Sequence, residues 1–237
     1  MGRRLKSQRR GKGGPTFRAT KKAGKSSYPP VEKSKTIAGQ VLGFEKKPGR
    51  NGLLARILTD KKEEFAVIAA EGMFVGQDIE IGEKADLKVG SIMPLSRIPE
   101  GCPVFNVEMQ PGDGGRLVRS TGSYSLVVSK TAKTATIRLP SGKNKALSLE
   151  CRAMVGNAAC GERTEKPLVK AGNKYYFMKA KSRPWPIVRG VAMNASDHPF
   201  GGEQHHAGKS KSVARGAPPG RKVGQIASKR TGRRKRK

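Results

Sequence analysis

Between residues 36 and 178 the apolar positions fall in short runs separated by turn-forming residues. Residues 36–45 read as one extended strand, closed by Lys47-Pro-Gly-Arg-Asn-Gly52, where Pro and Gly punctuate the chain. Residues 53–58 and 64–70 follow, joined by the polar run Thr59-Asp-Lys-Lys-Glu63, and a shorter strand is predicted at 78–81. Short apolar runs at this spacing predict a small antiparallel barrel or sandwich, and closure would remove its exposed edges. Residues 89–95 read as a crossover into a second unit. There, strands are predicted at 104–109, 117–119, 124–128, 134–139 and 146–149 from alternating apolar and polar positions, with Pro140-Ser-Gly-Lys-Asn144 turning the last pair. One short helix is predicted over 168–178. The fold class is therefore all-β, with two small β units of residues 36–86 and 87–178. A middle of this length supports two small cores, not a large enzyme domain with a deep cleft.

Residues 1–35 and 179–237 show no such periodicity, and here charge changes the picture. The chain of 237 residues carries 49 Lys and Arg against 18 Asp and Glu, a formal +31. Residues 1–35 hold +11 of it, residues 179–237 hold +14, and the longer middle only +6. Such arms repel themselves and bury little apolar surface, so they are expected to be extensions lacking regular structure until a partner orders them. A polyanion fits best, and the charge profile is the footprint of nucleic-acid binding. An acidic membrane would call for a basic amphipathic helix, whereas these arms are rich in Gly, Ser and Pro. No run approaches the ~18 apolar residues of a membrane span, and basic residues stand where a secretion signal would have its apolar core.

Cys102, Cys151 and Cys160 are odd in number and widely spaced, which fits a reducing compartment and small buried hydrophobes rather than a disulfide framework or zinc ligands. His205-His206 lacks a carboxylate or Cys pattern to complete a metal site. In the N-terminal arm, Phe17 and Tyr28 stand among cations and are expected to stack on unpaired bases. The loop Pro111-Gly-Asp-Gly-Gly-Arg-Leu-Val-Arg119 offers backbone N–H groups that could cradle phosphate beside Arg116 and Arg119. It lacks the Gly-Lys-Ser/Thr ending of a nucleotide-binding loop. The stretch from Pro184 to Gly202 contains the only tryptophan, Trp185, and too many Pro and Gly residues for a useful helix. Within it Asp197-His198 has the composition of an orienting carboxylate and a general base, but nothing marks Ser196 as a nucleophile. The simpler expectation is that Asp197 fixes its own turn while His198 contacts a base or phosphate.

Three motifs carry a resemblance. Pro186-Ile-Val-Arg-Gly-Val-Ala-Met-Asn-Ala-Ser-Asp-His-Pro-Phe-Gly-Gly202 is similar to the signature of the universal L-two family of large-subunit ribosomal proteins. The loop from Pro111 to Tyr124 resembles the family's second motif, and Arg138-Leu-Pro-Ser-Gly142 its hairpin. The tail Ala217-Pro-Pro-Gly-Arg-Lys-Val-Gly-Gln-Ile-Ala-Ser-Lys-Arg-Thr-Gly232 resembles the archaeal or eukaryotic form. The resemblance implies an oligonucleotide-binding (OB) fold over 36–86 and an SH3-like barrel over 87–178. It implies a structural, non-enzymatic protein of the cytoplasmic ribosome that binds large-subunit rRNA and neighbouring ribosomal proteins and contacts the small subunit. Support of tRNA binding and of the peptidyl-transferase region is part of the same implication, with no cofactor, metal, membrane or homo-oligomer. His198 stands where a part in peptide-bond formation has been ascribed to the family. Bacterial members carry a second histidine where this chain has Phe200, which argues against a two-histidine mechanism.

The candidate RNA contacts follow from this reading. In the N-terminal arm they are Arg3, Arg4, Lys6, Arg9, Arg10, Lys12, Arg18, Lys21 and Lys22. In the β units they are Arg50, Arg116 and Arg119. Arg183, Trp185, Arg189, Asn194 and His198 belong to the signature stretch. The tail adds Lys209, Lys211, Arg215, Arg221, Lys222, Lys229, Arg230 and Arg233. The competing classes are an acyl or peptidyl transferase using His198 with Asp197, and a free cytosolic RNA chaperone.

Overall fold

A computed structural model describes residues 2–19, 24–30, 35–203, 205–230 and 232. The chain divides into two compact units, one of residues 21–167 and one formed by residues 1–20 together with 168–237.

The first unit is built on one ten-stranded sheet. Its strands are β1 (Ile37–Glu45), β2 (Leu54–Thr59), β3 (Glu64–Ile68), β4 (Asp78–Ile81), β5 (Ile92–Pro94), β6 (Pro103–Phe105), β7 (Ser125–Lys130), β8 (Thr134–Arg138), β9 (Asn144–Ser148) and β10 (Arg152–Val155). They run in the order β3-β2-β1-β4-β5-β10-β6-β7-β8-β9, so the all-β class stands. β1 alternates: Val41 is buried while its neighbours Gln40 and Leu42 are exposed. It pairs antiparallel with β2 from Gly39↔Thr59 to Val41↔Ile57, and after a bulge from Gly43↔Arg56 to Glu45↔Leu54. The extra residue bends the strand and sharpens its twist.

Two apolar cores lie against this sheet. One gathers Val41, Leu54, Ile57, Val67, Ile79 and Ile81; the other gathers Leu95, Ile98, Val127, Ala135, Ile137 and Leu147. Strands β5, β6 and β10 serve both. Ile92, Phe105 and Met154 point into the first core, while their neighbours Met93, Val104, Ala153 and Val155 point into the second. Successive side chains on a strand face opposite ways, so these three strands form a wall between the cores.

That wall explains the strands the pattern missed. The predicted crossover at 89–95 contains β5, joined to β4 by the parallel pair Ile81↔Ile92, and β10 was not foreseen. A strand buried on both faces shows no polar alternation, and runs of three or four residues give periodicity nothing to register. The strand expected at 104–109 ends at Phe105, where Asn106 takes a left-handed conformation (φ 49°). Residues 117–119 contribute only the isolated bridge Val107↔Leu117.

The second unit holds helix α1 (Lys6–Gly11), helix α2 (Ala171–Ala180) and the short parallel pair β11 (Ser212–Val213) and β12 (Gln225–Ile226). The arms, expected to lack regular structure, thus carry short pieces of it. α2 starts and ends slightly later than the predicted 168–178, and Asn173 Nδ2 donates to the Leu168 carbonyl just before it (2.9 Å). None of its side chains is buried.

Candidate nucleic-acid interface

In the first unit the conformation of residues 24–30 is set by arginines. Arg50 Nη2 donates to the Gly24 carbonyl (2.9 Å), Arg119 Nη2 to Ser26 O (2.7 Å) and Arg152 Nη1 to Pro29 O (2.8 Å). Tyr28 lies between these struts, its hydroxyl donating to Asn106 O (2.6 Å) and its ring facing the Arg152 guanidinium at 5.4 Å. Tyr28 belongs to the first apolar core, which corrects its expected role as a base-stacking aromatic. Burial first, and then the Glu108 carboxylate, push its phenol above the ordinary range.

The glycine-rich loop also departs from expectation. Its backbone donors up to Leu117 are already used. Met109 and Gln110 donate to Asp113 Oδ2 (2.9 and 3.2 Å), and Gly115 donates to Asp113 Oδ1 (3.0 Å). Gly112 and Gly114 donate to the two oxygens of Glu108 (3.3 and 3.0 Å). Asp113 N–H goes to Gln110 O, and those of Arg116 and Leu117 go to Val107 O. The loop therefore carries its own carboxylates where a phosphate cradle would leave donors open. Glu108 is fully buried and also accepts Arg152 Nη2 at 2.8 Å, so loop, strut and residues 24–30 share one charge-assisted network. Sequence reasoning did not single out Glu108 or Arg152; they are 44 residues apart, and no local pattern links them.

What the loop offers is its arginines. Arg116 is exposed and Arg119 half-buried. Arg119 and Arg50 line a pocket of about 140 Å³, with Asn51, Ser120 and Thr121 among its other walls. Burial and then the charge of Arg50, with a smaller push from Arg116, hold the Arg119 guanidinium below its ordinary value. An arginine has enough margin to stay charged near neutrality. These cations repel one another, and an anion at the pocket would relieve that repulsion.

In the second unit the stretch 184–202 folds back on itself. Asp197 and His198 N–H groups both donate to Asn194 O (3.0 and 3.2 Å), and Gly202 N–H to Met193 O (3.2 Å). The turn is thus fixed by backbone, not by the Asp197 carboxylate as expected; that carboxylate faces Arg3 Nη1 at 3.6 Å. Arg3 N–H also donates to Ser196 O (2.7 Å), tying the chain's start to the signature. His198 Nδ1 accepts the Phe200 N–H (3.1 Å), which leaves any ring proton on Nε2. Its ring lies 5.1 Å from that of Phe200, and partial burial lowers its pKa, favouring the neutral imidazole. A carboxylate that oriented His198 as a base would occupy Nδ1, and that nitrogen is taken. Gly190 lies beneath the ring, where a Cβ would overlap it. Phe200 is buried, with Gly224 (φ 78°) so close that a Cβ there would reach 3.0 Å from its ring.

Other candidates are displayed outward. Arg4, Lys6, Arg9, Arg10, Lys12 and Arg18 are exposed, as are Arg183, Arg189 and Asn194. So are Lys209, Lys211, Arg215, Arg221, Lys222, Lys229 and Arg230. Trp185 is half-buried with Lys174 Nζ 5.6 Å from its ring centre. Lys21, Lys22 and Arg233 lie outside the described residues. His205 and His206 are exposed, and no group of metal-ligating side chains forms among the described residues. Of the cysteines, Cys151 is buried in the second core, whereas Cys102 and Cys160 are only half-buried, a correction to the expectation that all three are interior. Among the described residues no helix is long and apolar enough to cross a membrane.

Comparison with known proteins gives concordant results. Residues 88–222 match the model of the family described as Ribosomal Proteins L2, C-terminal domain. The chain is 51% identical over 236 residues to the Large ribosomal subunit protein uL2 of Halorubrum lacusprofundi, covering 98% of each. It is 52% identical over 236 residues to the protein of the same name from Natronomonas pharaonis, covering 98% of this chain and 97% of that one. The counterpart in Methanococcus maripaludis is 50% identical over 240 residues, covering 99% and 100%.

Proposed function

The chain belongs to the L2 family of ribosomal proteins, and from that premise we propose that it is an RNA-threading structural protein whose arginines and lysines dock it on large-subunit rRNA. It is a structural constituent of the large ribosomal subunit, not an enzyme, with rRNA and ribosomal proteins as its partners. The finer reading is that it supports subunit association, tRNA binding and the peptidyl-transferase region. The division into an oligonucleotide-binding barrel over 36–86 and an SH3-like barrel over 87–178 belongs to the same proposal; the presence of two apolar cores supports two barrels, with β5, β6 and β10 shared between them.

One observation carries the docking mode. The unit of residues 1–20 and 168–237 contains 25 of the 49 basic side chains but, of the acidic ones, only Asp197 and Glu203. Most of those cations point outward, so a polyanion is the partner that neutralises them. Phosphate contacts fix position on the RNA, and the shape of the barrels and of the 184–202 stretch selects where. In the first unit, the pocket that Arg50 and Arg119 line offers a seat for a backbone phosphate, since forked guanidinium groups suit phosphate oxygens.

Nuclease footprinting of large-subunit rRNA with and without the full chain tests this. A discrete set of protected helices is expected; uniform, weak protection would mean a general RNA chaperone. The His198→Ala variant separates docking from chemistry. Subunits reconstituted with it are expected to turn over peptide bonds at near wild-type rates once assembled, and a large turnover loss in fully assembled subunits would reinstate the transferase reading.

A further inference from the structure

Residues 71–88 run against the charge of the rest of the chain. They hold Glu71, Asp78, Glu80, Glu83 and Asp86 against only Lys84 and Lys88, within a molecule of net +31. The fold gathers Asp78, Glu80, Asp86 and Lys88. Asp86 N–H donates to Glu80 Oε2 (2.7 Å), and Lys88 Nζ pairs with Asp86 Oδ2 at 3.0 Å. The Lys88 ammonium is pushed upward first by its hydrogen bond to Asp86 and then by that group's charge, with Glu80 and Asp78 adding to it. Three carboxylates thus act on a single ammonium.

Beside this cluster stand large apolar side chains left in water. Phe74 is 63% exposed, Val75 59%, Leu87 52% and Val89 46%. They come from two turns that are tied together. Gln77 Nε2 donates to Val89 O (2.9 Å) while Gln77 Oε1 accepts the Phe74 N–H (3.2 Å). Below them Met73 Cε lies so near Gly90 that a Cβ there would come within 2.7 Å of it. Single exposed hydrophobes call for no explanation, but a contiguous patch with a charged rim marks an interaction surface. The sign of the rim decides the class of partner, because a phosphate backbone would be repelled by it.

We propose that the 73–77 and 87–90 turns form a docking surface for a basic polypeptide segment of a neighbouring protein in the large subunit, with an aliphatic or aromatic side chain set against Phe74 and Val89 and a Lys or Arg paired with Asp78 and Glu80. This rests on the reading of the chain as a large-subunit component. It divides the molecule by partner: cationic faces go to RNA, and this face goes to protein. Apolar anchors with a complementary charged rim are the usual composition of such an interface.

The test uses purified large subunits and the free full-length chain. Hydroxyl-radical oxidation of Phe74 is expected to fall several-fold on assembly. Carbodiimide treatment of the subunits is expected to link carboxylates of residues 78–86 to a lysine of a second protein, identified by mass spectrometry. The Phe74→Ser, Val75→Ser double variant is expected to lose that link while still sedimenting with the subunit. Equal oxidation of wild-type Phe74 in the free and assembled states would overturn the inference, as would a photo-induced link from Phe74 to a nucleotide. A chain that never entered the subunit would instead overturn the functional reading as well, so the two failures are told apart by sedimentation.

Discussion

Tyr28 shows how much a single residue depends on its surroundings. Among the cations of the N-terminal arm it reads as a stacking aromatic, yet it is buried beneath the Arg152 guanidinium with its hydroxyl committed to Asn106 O. Its phenol is pushed above the ordinary 10.0 because burial disfavours the phenolate and Glu108 repels it. The folded state therefore holds this proton more tightly than the unfolded chain does. The resulting stabilisation is complete below about pH 10 and is lost as the pH rises above that value, where only the unfolded form ionises freely. Tyr28→Phe is expected to reduce the alkaline loss of stability, followed by chemical denaturation between neutrality and high pH; an identical pH dependence in the two proteins would contradict the assigned burial. His198 is the contrasting case. Its place beside Asp197 has the composition of a base, but its Nδ1 accepts the Phe200 N–H and partial burial lowers its pKa, which favours the neutral ring.

At the scale of elements, the glycine-rich loop and residues 24–30 form one assembly through Glu108, Arg119 and Arg152. Two arginines three residues apart consequently do different work. Arg116 is exposed, so Arg116→Ala is expected to weaken RNA binding while leaving stability within about 0.5 kcal/mol. Arg119 holds Ser26 O, and its removal forfeits a hydrogen bond from a charged donor, a loss of about 1.5–3 kcal/mol. Arg119→Ala should therefore lower the melting temperature and speed tryptic cleavage at Lys25 as well as weaken binding. Matching stability losses for the two variants would show that the Ser26 contact does not hold the segment. The prediction of a strand at 117–119 failed at this scale too. Val118 adopts a left-handed conformation (φ 52°) that a β-branched residue takes only when its surroundings impose it, and alternation cannot reveal that.

For the whole molecule the deciding quantity is charge. If roughly 8 phosphates are neutralised, the log–log dependence of RNA affinity on salt is expected to have a slope near about −7, since each contact contributes about −0.9 on duplex. Filter binding across a salt series measures it, and a slope shallower than about −3 would rule out phosphate neutralisation as the main source of affinity. The acidic segment 71–88, with five carboxylates against two lysines, runs against that sum, so net charge alone misdescribes the molecule.

The order of residues by itself determined the β class, the strands with one wet face and the cationic ends, because alternation and charge are local properties that survive without tertiary context. The signature between Pro186 and Gly202 was legible in the same way, and with it the family. Tertiary structure alone decided which strands wall two cores at once, because a strand covered on both sides loses its alternation. It also decided that the amides of Gly112, Gly114 and Gly115 are consumed by Glu108 and Asp113, and that Arg3 meets Asp197 across nearly the length of the chain. Those pairings join residues distant in sequence, and only the folded backbone brings them within bonding distance.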